Sequence, residues 1–600
     1  AASFAYTSTA FPMLTGTLIT AAAFLPVGLA KSSAGEYTFS ICAVVTIALV
    51  MSWLVAVIFT PYIGHRLLRD NSGHADADEH YQQGFYKHFR TVVRWCLYRK
   101  KSVVGFTLAI FLLAVAGFDK VDQEFFPPSE RSELLMDIWL PEGSTFAATE
   151  DVTAALEKKL GGYPGIVNYT SYIGGSTPRF YLPLDLSLPS VNYAQMVIAT
   201  SGMHAREAVL QRVRKMLDDD YPNQGIRISR LENGPPVGYP VQFRVLGADP
   251  EKLRRIAEQV AERVKQNPHT KNISLDSNEK VRVFNVTVDQ EKARALGLSS
   301  QTISRNLQSL LSGLTVSNFR EKGLRVDIIV RAGAADRDNP DALARLNIHT
   351  ARGKFVPLGE IATIKPALED GIIWRMDGLP VVTVRGDVPD NISAPDVSLA
   401  IDRQLADLRA TLPAGYRIEA GGAMEGNDQA TDSIIAVLPL MGFLIAALLM
   451  LQLHRIGLVT LALLTAPLGL IGVTAALLLF HVPFGFVAML GMISLSGMII
   501  RNSVILLDQI GQDIAAGMSR YDAIVEATVR RFRPIMLTAA AAILAMIPLT
   551  RSVFWGPLAI VIMGGLLVAT FLTLLYLPAL YALWYKVNPP HAAPSPATII

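Results

Sequence analysis

The stretch SLSGMIIRNSVILLDQI, Ser494 to Ile510, sets an arginine inside a run of residues otherwise suited to lipid. The apolar run around it, Phe484 to Leu507, is long enough to cross the roughly 30 Å hydrocarbon core of a bilayer. An isolated arginine at that depth costs about 2.5 to 3.5 kcal/mol on insertion scales. Snorkelling to the nearer interface would require it to span roughly two helical turns, about 10 Å, which strains the reach of one side chain. Asp508 shares its helix face seven residues on, but the same rise makes a direct pair awkward. Arg501 is therefore expected to face a polar site inside a helical bundle and to pair with another helix.

Working outward, apolar runs of spanning length lie near Thr9 to Ala30, Thr38 to Thr60, Val103 to Phe118, Ser433 to Leu453, Gly457 to Phe480, Phe484 to Leu507, Pro534 to Leu549 and Pro557 to Trp584. These predict about eight transmembrane helices, three before and five after a long soluble block. The connections Pro61 to Ser102 and Gly511 to Arg533 are rich in Lys and Arg, which places both on the cytoplasmic side and the block from about Asp119 to Asn427 on the other. The chain has 600 residues, 51% hydrophobic, with a net charge of +3, which speaks against nucleic acid as a general partner. Its two cysteines, Cys42 and Cys96, suggest neither a disulfide framework nor a metal site. The start, AASFAYTSTAFPML, lacks an initiator methionine and a signal pattern, so the chain reads as internal to a longer protein.

Within the soluble block the hydrophobic period switches between two and 3.6. ELLMDIWLP, TFAATEDVTAALEKKL, IVNYTSYIG, AQMVIATS, AREAVLQRVRKMLDDDY and RISRLE give the order βαββαβ, a ferredoxin-like unit. A second unit opens with VQFRVLG, PEKLRRIAEQVAERVKQ and KNISLD and finishes with PVVTVRGDV, VSLAIDRQLADLRATLP and YRIEAGG. The segment 281–373 between its halves is expected to be an inserted subdomain.

VDQEKARALGLS (Val288 to Ser299), EFFPPSERSELLMDIWLPEG (Glu124 to Gly143), GMIIRNSVILLD (Gly497 to Asp508) and RRFRPIMLTAAAAILAMIPL (Arg530 to Leu549) resemble the C-terminal portion of a resistance-nodulation-division (RND) efflux pump of the hydrophobe/amphiphile branch. The resemblance implies an α-helical polytopic inner-membrane protein with a large periplasmic α/β part. Residues 1–60 would be the last two helices of the first half, 61–102 a cytoplasmic connector and 103–118 a further helix. Residues 119–239 would form one porter subdomain, 240–280 with 374–427 a second, and 281–373 a docking or funnel insertion. Five helices would occupy 428–586, followed by a cytoplasmic tail, 587–600. The family implies a homotrimer joined to a periplasmic adaptor and an outer-membrane channel, driven by protons, with no cofactor.

By the same resemblance Arg501 falls where most members have a lysine that pairs with acidic residues in the first half. A guanidinium does not deprotonate, so its role would be that of a fixed positive partner. Arg531 and Thr538 match the family's proton-relay positions, with Arg533 the near rival of Arg531. No Asp or Glu falls inside an expected span, since Asp119, Asp432 and Asp508 sit at apparent span ends, and the proton acceptor is expected upstream of Ala1. The loop YIGGSTPRFYLPLDLSLPSVNY matches the family's switch loop and makes Arg179, Phe180 and Tyr181 candidates for substrate binding, against packing in their own domain. Met136 raises a soft-metal reading, but no His/Cys/Met cluster accompanies it. The expected cargo is an amphiphilic organic compound. The alternatives are a heavy-metal cation permease and a non-transporting assembly scaffold. No nucleophile, base and orienter occur at suggestive spacing, so no enzyme is expected.

Overall fold

A computed structural model describes residues 2–67, 84–222, 224–277, 280–337, 340–350, 353–390 and 392–589. The expected tail, 587–600, therefore lies mostly outside the described residues, as does 68–83 of the connector. The first membrane helices are α1 (Ala2–Ala23) and α2 (Ser33–Leu67). Helix α3 (Phe85–Tyr98) is amphipathic, burying Phe89, Val93, Cys96 and Leu97 on one face. Arg90, close to that face, reaches Glu526 at 2.7 Å. Helix α4 (Lys100–Phe118) follows and leads into the soluble part.

The first sheet consists of β1 (Glu133–Trp139), β2 (Ile166–Ile173), β3 (Tyr193–Thr200) and β4 (Gly225–Arg230), in the order β2-β3-β1-β4, all antiparallel. Helices α5 (Phe146–Leu160) and α6 (Met203–Asp220) cover one face. Alternate residues supply the core: Leu134, Met136 and Ile138 pack with Met196, Ile198, Ile228, Leu156 and Val213. Met136 is fully buried there and pairs in register with Met196 and Ile228. It belongs to the apolar core.

A five-stranded sheet carries β5 (Val241–Leu246), β6 (Lys271–Leu275), β7 (Leu379–Asp387) and β8 (Arg417–Gly421). Strand β7 runs antiparallel to both β5 and β6, with Val382 opposite Val245, so the chain returns to this sheet after about a hundred intervening residues. Helices α7 (Pro250–Lys265) and α8 (Ala394–Gln404) pack on it through Leu253, Val260, Val264, Val397 and Ile401. The Asp249 carboxylate caps α7 by accepting from the Glu251 and Lys252 amides.

Residues 277–374 with 140–145 form a separate compact unit. It pairs Lys280–Val288 with Ala362–Asp370 and has its own core of Ala293, Leu298, Ile303, Leu346, Ile348, Leu358 and Ile361. Its hairpin, Leu314–Glu321 with Leu324–Val330, is exposed along both strands.

The remaining membrane helices include α9 (Leu438–Leu453), α10 (Gly469–Phe480), α11 (Phe486–Ala515), α12 (Arg520–Met546) and α13 (Gly556–Trp584). Among the described residues seven helices are long and apolar enough to cross a membrane, and Ala10–Ala23 is a shorter apolar helix. The sequence reading differs at α12. Residues 511–533 were expected to connect two spans, yet α11 continues to Ala515 and α12 begins at Arg520, capped by Ser519, whose Oγ accepts from the Asp522 amide at 3.1 Å. The charged segment buries Ala523, Ile524, Val525, Ala527, Thr528 and Val529 around much of its circumference, which holds it helical well before the apolar run begins. Arg530, Arg531 and Arg533 consequently lie within α12 rather than at its start.

One junction ties the sheets to the bundle. The Phe484 amide donates to the Asp122 carbonyl at 2.8 Å, the Glu124 amide to the Phe484 carbonyl at 3.2 Å and the Phe486 amide to the Phe125 carbonyl at 3.1 Å. The segment leaving α4 is thus laced to the first residues of α11.

Candidate functional site

Arg501 points at α1. A Cβ added to Gly16 would lie 2.7 Å from the Arg501 Cγ, so only glycine leaves room for this stem. Its guanidinium forms no hydrogen bond or ion pair among the described residues. Arg531 donates to Gln509 Oε1 at 2.7 Å, and Gln509 donates to Asp513 Oδ1 at 2.9 Å. Arg530 closes this chain on Asp513. Thr538 only donates to the Ile535 carbonyl of its own helix, at 2.9 Å. No hydrogen bond joins Arg501, Arg531 and Thr538 to one another.

Two acids share the continuous helix that carries Arg501, both beyond the apolar run that ends at Leu507. Because α11 runs to Ala515, Asp508 and Asp513 lie within a spanning helix. Asp508 accepts from Gln452 Nε2 at 3.2 Å and Gln512 Nε2 at 2.8 Å, and Gln452 Oε1 accepts from Thr15 at 3.2 Å. The polar residues of QLHR and DQIGQD were the available signal, hidden because the apolar run ends at Leu507.

At the junction, burial pushes the Glu124 carboxyl up to about 7. Its folded value exceeds its unfolded one, so its contribution to stability is fully present at acid pH and lost as pH rises through about 7. Thermal unfolding should therefore show a loss on the order of 1 to 3 kcal/mol between about pH 5 and about pH 8. Glu124→Gln should flatten this profile, and an unchanged profile in that variant would assign the effect elsewhere.

A cavity of about 240 Å³ opens between strands of the two sheets, lined by Asp137, Asp185, Glu232, Asp276, Arg227 and Arg385 among others. Asp137, on β1, points away from the Met136 core and accepts from the Tyr193 hydroxyl at 2.7 Å and Gln195 at 2.9 Å. Burial, then the Asp137 charge, raises Tyr193 above the ordinary tyrosine range and keeps it a donor. Burial raises Asp185, with Asp137 adding to it, while Arg179 and Arg385 act the other way. Burial likewise raises Glu232, which accepts from the Val237 and Gly238 amides, and Asp276, which accepts from the Thr383 amide at 2.8 Å. Arg227 is committed to Asp387 at 2.9 Å and stacks over Tyr239 at 4.2 Å, whereas the buried Nε of Arg385 has no partner among the described residues.

Of the loop residues expected at a substrate site, Tyr181 lines this cavity and donates to Asn233 Oδ1 at 3.2 Å. Phe180 is 41% exposed and, like Tyr181, faces the Arg131 guanidinium, at 5.7 and 5.3 Å respectively. Phe180 and Arg179 do not line the cavity. The four acids were missed because they come from separated segments that only the tertiary fold brings to one cavity. Among the described residues no group of three or more His, Cys, Asp or Glu is arranged to hold a metal ion.

Known proteins resemble this chain over nearly all its length. It is 25% identical to the swarming motility protein SwrC of Bacillus subtilis, over 96% of this chain and 54% of that protein. It is also 25% identical to the nickel and cobalt resistance protein CnrA of Cupriavidus metallidurans, over 96% and 55%. The cobalt-zinc-cadmium resistance protein CzcA of the same organism is 24% identical, over 96% and 55%. The chain thus spans about half the length of these relatives. A heavy metal efflux pump solved in two crystal forms shares the fold, with TM-scores of 0.75 and 0.76 at 20% identity, over 96% and 97% of this chain and 58% and 59% of that one. The model of the AcrB/AcrD/AcrF family matches residues 1–585, and with its apolar helices and large α/β part this chain belongs to that family of RND permeases, as a multi-pass inner-membrane protein.

Proposed function

We propose that the chain works as part of a proton-driven efflux transporter whose cargo is a divalent heavy-metal cation. The observation that carries this reading is the cavity in which Asp137, Asp185, Glu232 and Asp276 converge. Carboxylate oxygens suit hard and borderline divalent cations, whereas Met136, the soft donor nearest in sequence, is shut in the core. The absence of a ready-made ligand set among the described residues is compatible with a passage for a partly hydrated ion rather than a resident metal centre. The relatives named for nickel, cobalt, zinc and cadmium resistance support the cation, and none of the three proteins named above is named for drug export. The amphiphile expected from the sequence therefore becomes the second choice, and in this reading Phe180 and Arg179, which do not line the cavity, take no part in cation passage.

In this reading the two sheets are ferredoxin-like porter subdomains and the 277–374 unit is the docking insertion. The assembly is a homotrimer with a periplasmic adaptor and an outer-membrane channel, as is typical of the family, and the chain transports without enzymatic catalysis. Arg501 is the fixed charge of the relay, and Arg531 contributes through Gln509.

Asp185 tests the cavity because its side chain forms no hydrogen bond that holds a strand. In a metal-sensitive host carrying the intact pump, Asp185→Asn should lower tolerance to cobalt, nickel or zinc several-fold at unchanged protein level. Protection against ethidium but not against metals, in host cells carrying the unmodified pump, would restore the amphiphile reading.

A further inference from the structure

Asp508 is the acid of α11, the helix of Arg501, whose hydrogen-bond partners are neutral. Asp513 is held by Arg530, Glu526 by Arg90, and Asp522 accepts from the Ser519 hydroxyl at 2.6 Å outside the apolar run. Among the described residues Asp508 instead accepts only from the amides of Gln452, on α9, and Gln512, on its own helix. Arg531 of α12 lies within electrostatic reach of it but gives its hydrogen bond to Gln509. Next along α12, Arg530 is committed to Asp513. From the end of α9, His454 places Nδ1 3.2 Å from the Gln452 carbonyl oxygen. Helix α1 brings the Thr15 hydroxyl and no charge. Gln512 is exposed at the end of α11, which gives the carboxyl a path to water.

We propose that the Asp508 carboxyl binds and releases a proton within the membrane domain, and that Gln452 and Thr15 pass its charge state to the wall of α1 on which Arg501 is seated. The acid can change charge without breaking an ion pair, so its protonation avoids the large cost of stranding a buried arginine. The proton enters as a carboxyl O–H and leaves to water beside Gln512, with no other bond made or broken. As a carboxylate, Asp508 takes the Gln452 NH₂. As a neutral acid it donates, and the Gln452 amide turns over to present its oxygen. The NH₂ of Gln452 then meets Thr15, whose hydroxyl changes from donor to acceptor. Thr15 precedes Gly16, the residue against which the Arg501 stem packs. The Asp508 event is thereby communicated along roughly 10 Å of α11 to the charge expected to complete the relay.

The inference rests on the proton-driven reading for its transport consequence but not for its proton. Difference infrared spectroscopy of the 600-residue chain in lipid vesicles should show a carboxylic C=O band growing on acidification, absent in the isosteric Asp508→Asn and displaced in midpoint in Asp508→Glu. Gln452→Leu should move the midpoint as well, which a purely structural glutamine would not do. In the intact pump, Asp508→Asn should lower proton-driven cation transport by about 100-fold, the low end for a lost acid–base group. A band that persists unchanged in Asp508→Asn overturns the assignment, and an absent band with unimpaired transport overturns the coupling. An unmodified pump that moves no metal, together with a band lost in Asp508→Asn, defeats the metal-export reading while this one stands.

Discussion

Alanine in place of Arg501 is expected to abolish transport by the intact pump while leaving the protein at least as abundant in the membrane. The two effects have opposite physical signs. Removing an interior guanidinium relieves an insertion cost of about 2.5 to 3.5 kcal/mol, so biogenesis should not suffer. The charge proposed to answer the relay carboxylates disappears, however, and α11 carries no other cation, since the next arginines belong to α12 and are engaged with Gln509 and Asp513. Arg501→Lys should be the best-tolerated change, because it keeps the charge and most of the stem packed against Gly16. Metal efflux from everted vesicles, normalised to pump content, measures both. Full activity in the alanine variant would reduce Arg501 to an anchor.

Gly472→Leu is expected to prevent folding of the membrane bundle. Helices α10 and α13 meet so closely there that a Cβ on Gly472 would sit 2.2 Å from the Gly564 carbonyl oxygen, and one on Gly564 would sit 2.3 Å from Ala476 Cβ. Small residues permit such approach between membrane helices, and a backbone oxygen cannot step aside as a side chain can. Overpacking a core typically costs 1 to 3 kcal/mol, and here the loss should exceed about 3 kcal/mol. Gly511→Ala is the control, because nothing lies within 4 Å of its Cβ position. It should be neutral or stabilising by roughly 0.5 to 1 kcal/mol in thermal melts. Equal melting of the Gly472 and Gly511 variants would contradict the close helix contact.

The hydrophobic runs located the membrane helices because spanning length is imposed by the bilayer, and the alternation in ELLMDIWLP and VQFRVLG located strands because one face of each is buried. The same logic failed where a helix is amphipathic. YDAIVEATVRRF carries enough charge to resemble a connection, and only the burial of Ala523, Ile524, Ala527 and Val529 marks it as part of α12. Asp508 lies on the neighbouring α11, which continues as helix past the apolar run that ends at Leu507. Single candidates stood out in the sequence: Arg501 as a charge in an apolar helix, and Tyr181 in a long aromatic loop, which the fold sets on the cavity wall. Asp137, Asp185, Glu232 and Asp276 line one cavity from a strand, a loop and the ends of two further strands, a placement that local sequence does not encode. The resemblance likewise supplied the transporter family, while the relatives named for metal resistance favour the heavy-metal alternative over the amphiphile.

The lacing of Asp122–Phe125 to Phe484–Phe486 gives α11 no slack. Were that helix to slide along its axis by a single residue's rise, about 1.5 Å, three backbone hydrogen bonds would have to break or the strand leader would have to travel with it. The second is cheaper, because Phe125 is buried and Phe126 stacks on Phe486 with ring centroids 5.1 Å apart, so the joint moves as one piece. The helix that carries Arg501 and Asp508 is thus tied at its head to the leader that runs on to the strand holding Asp137, so an axial shift of one would be felt by the other as a pull on that leader.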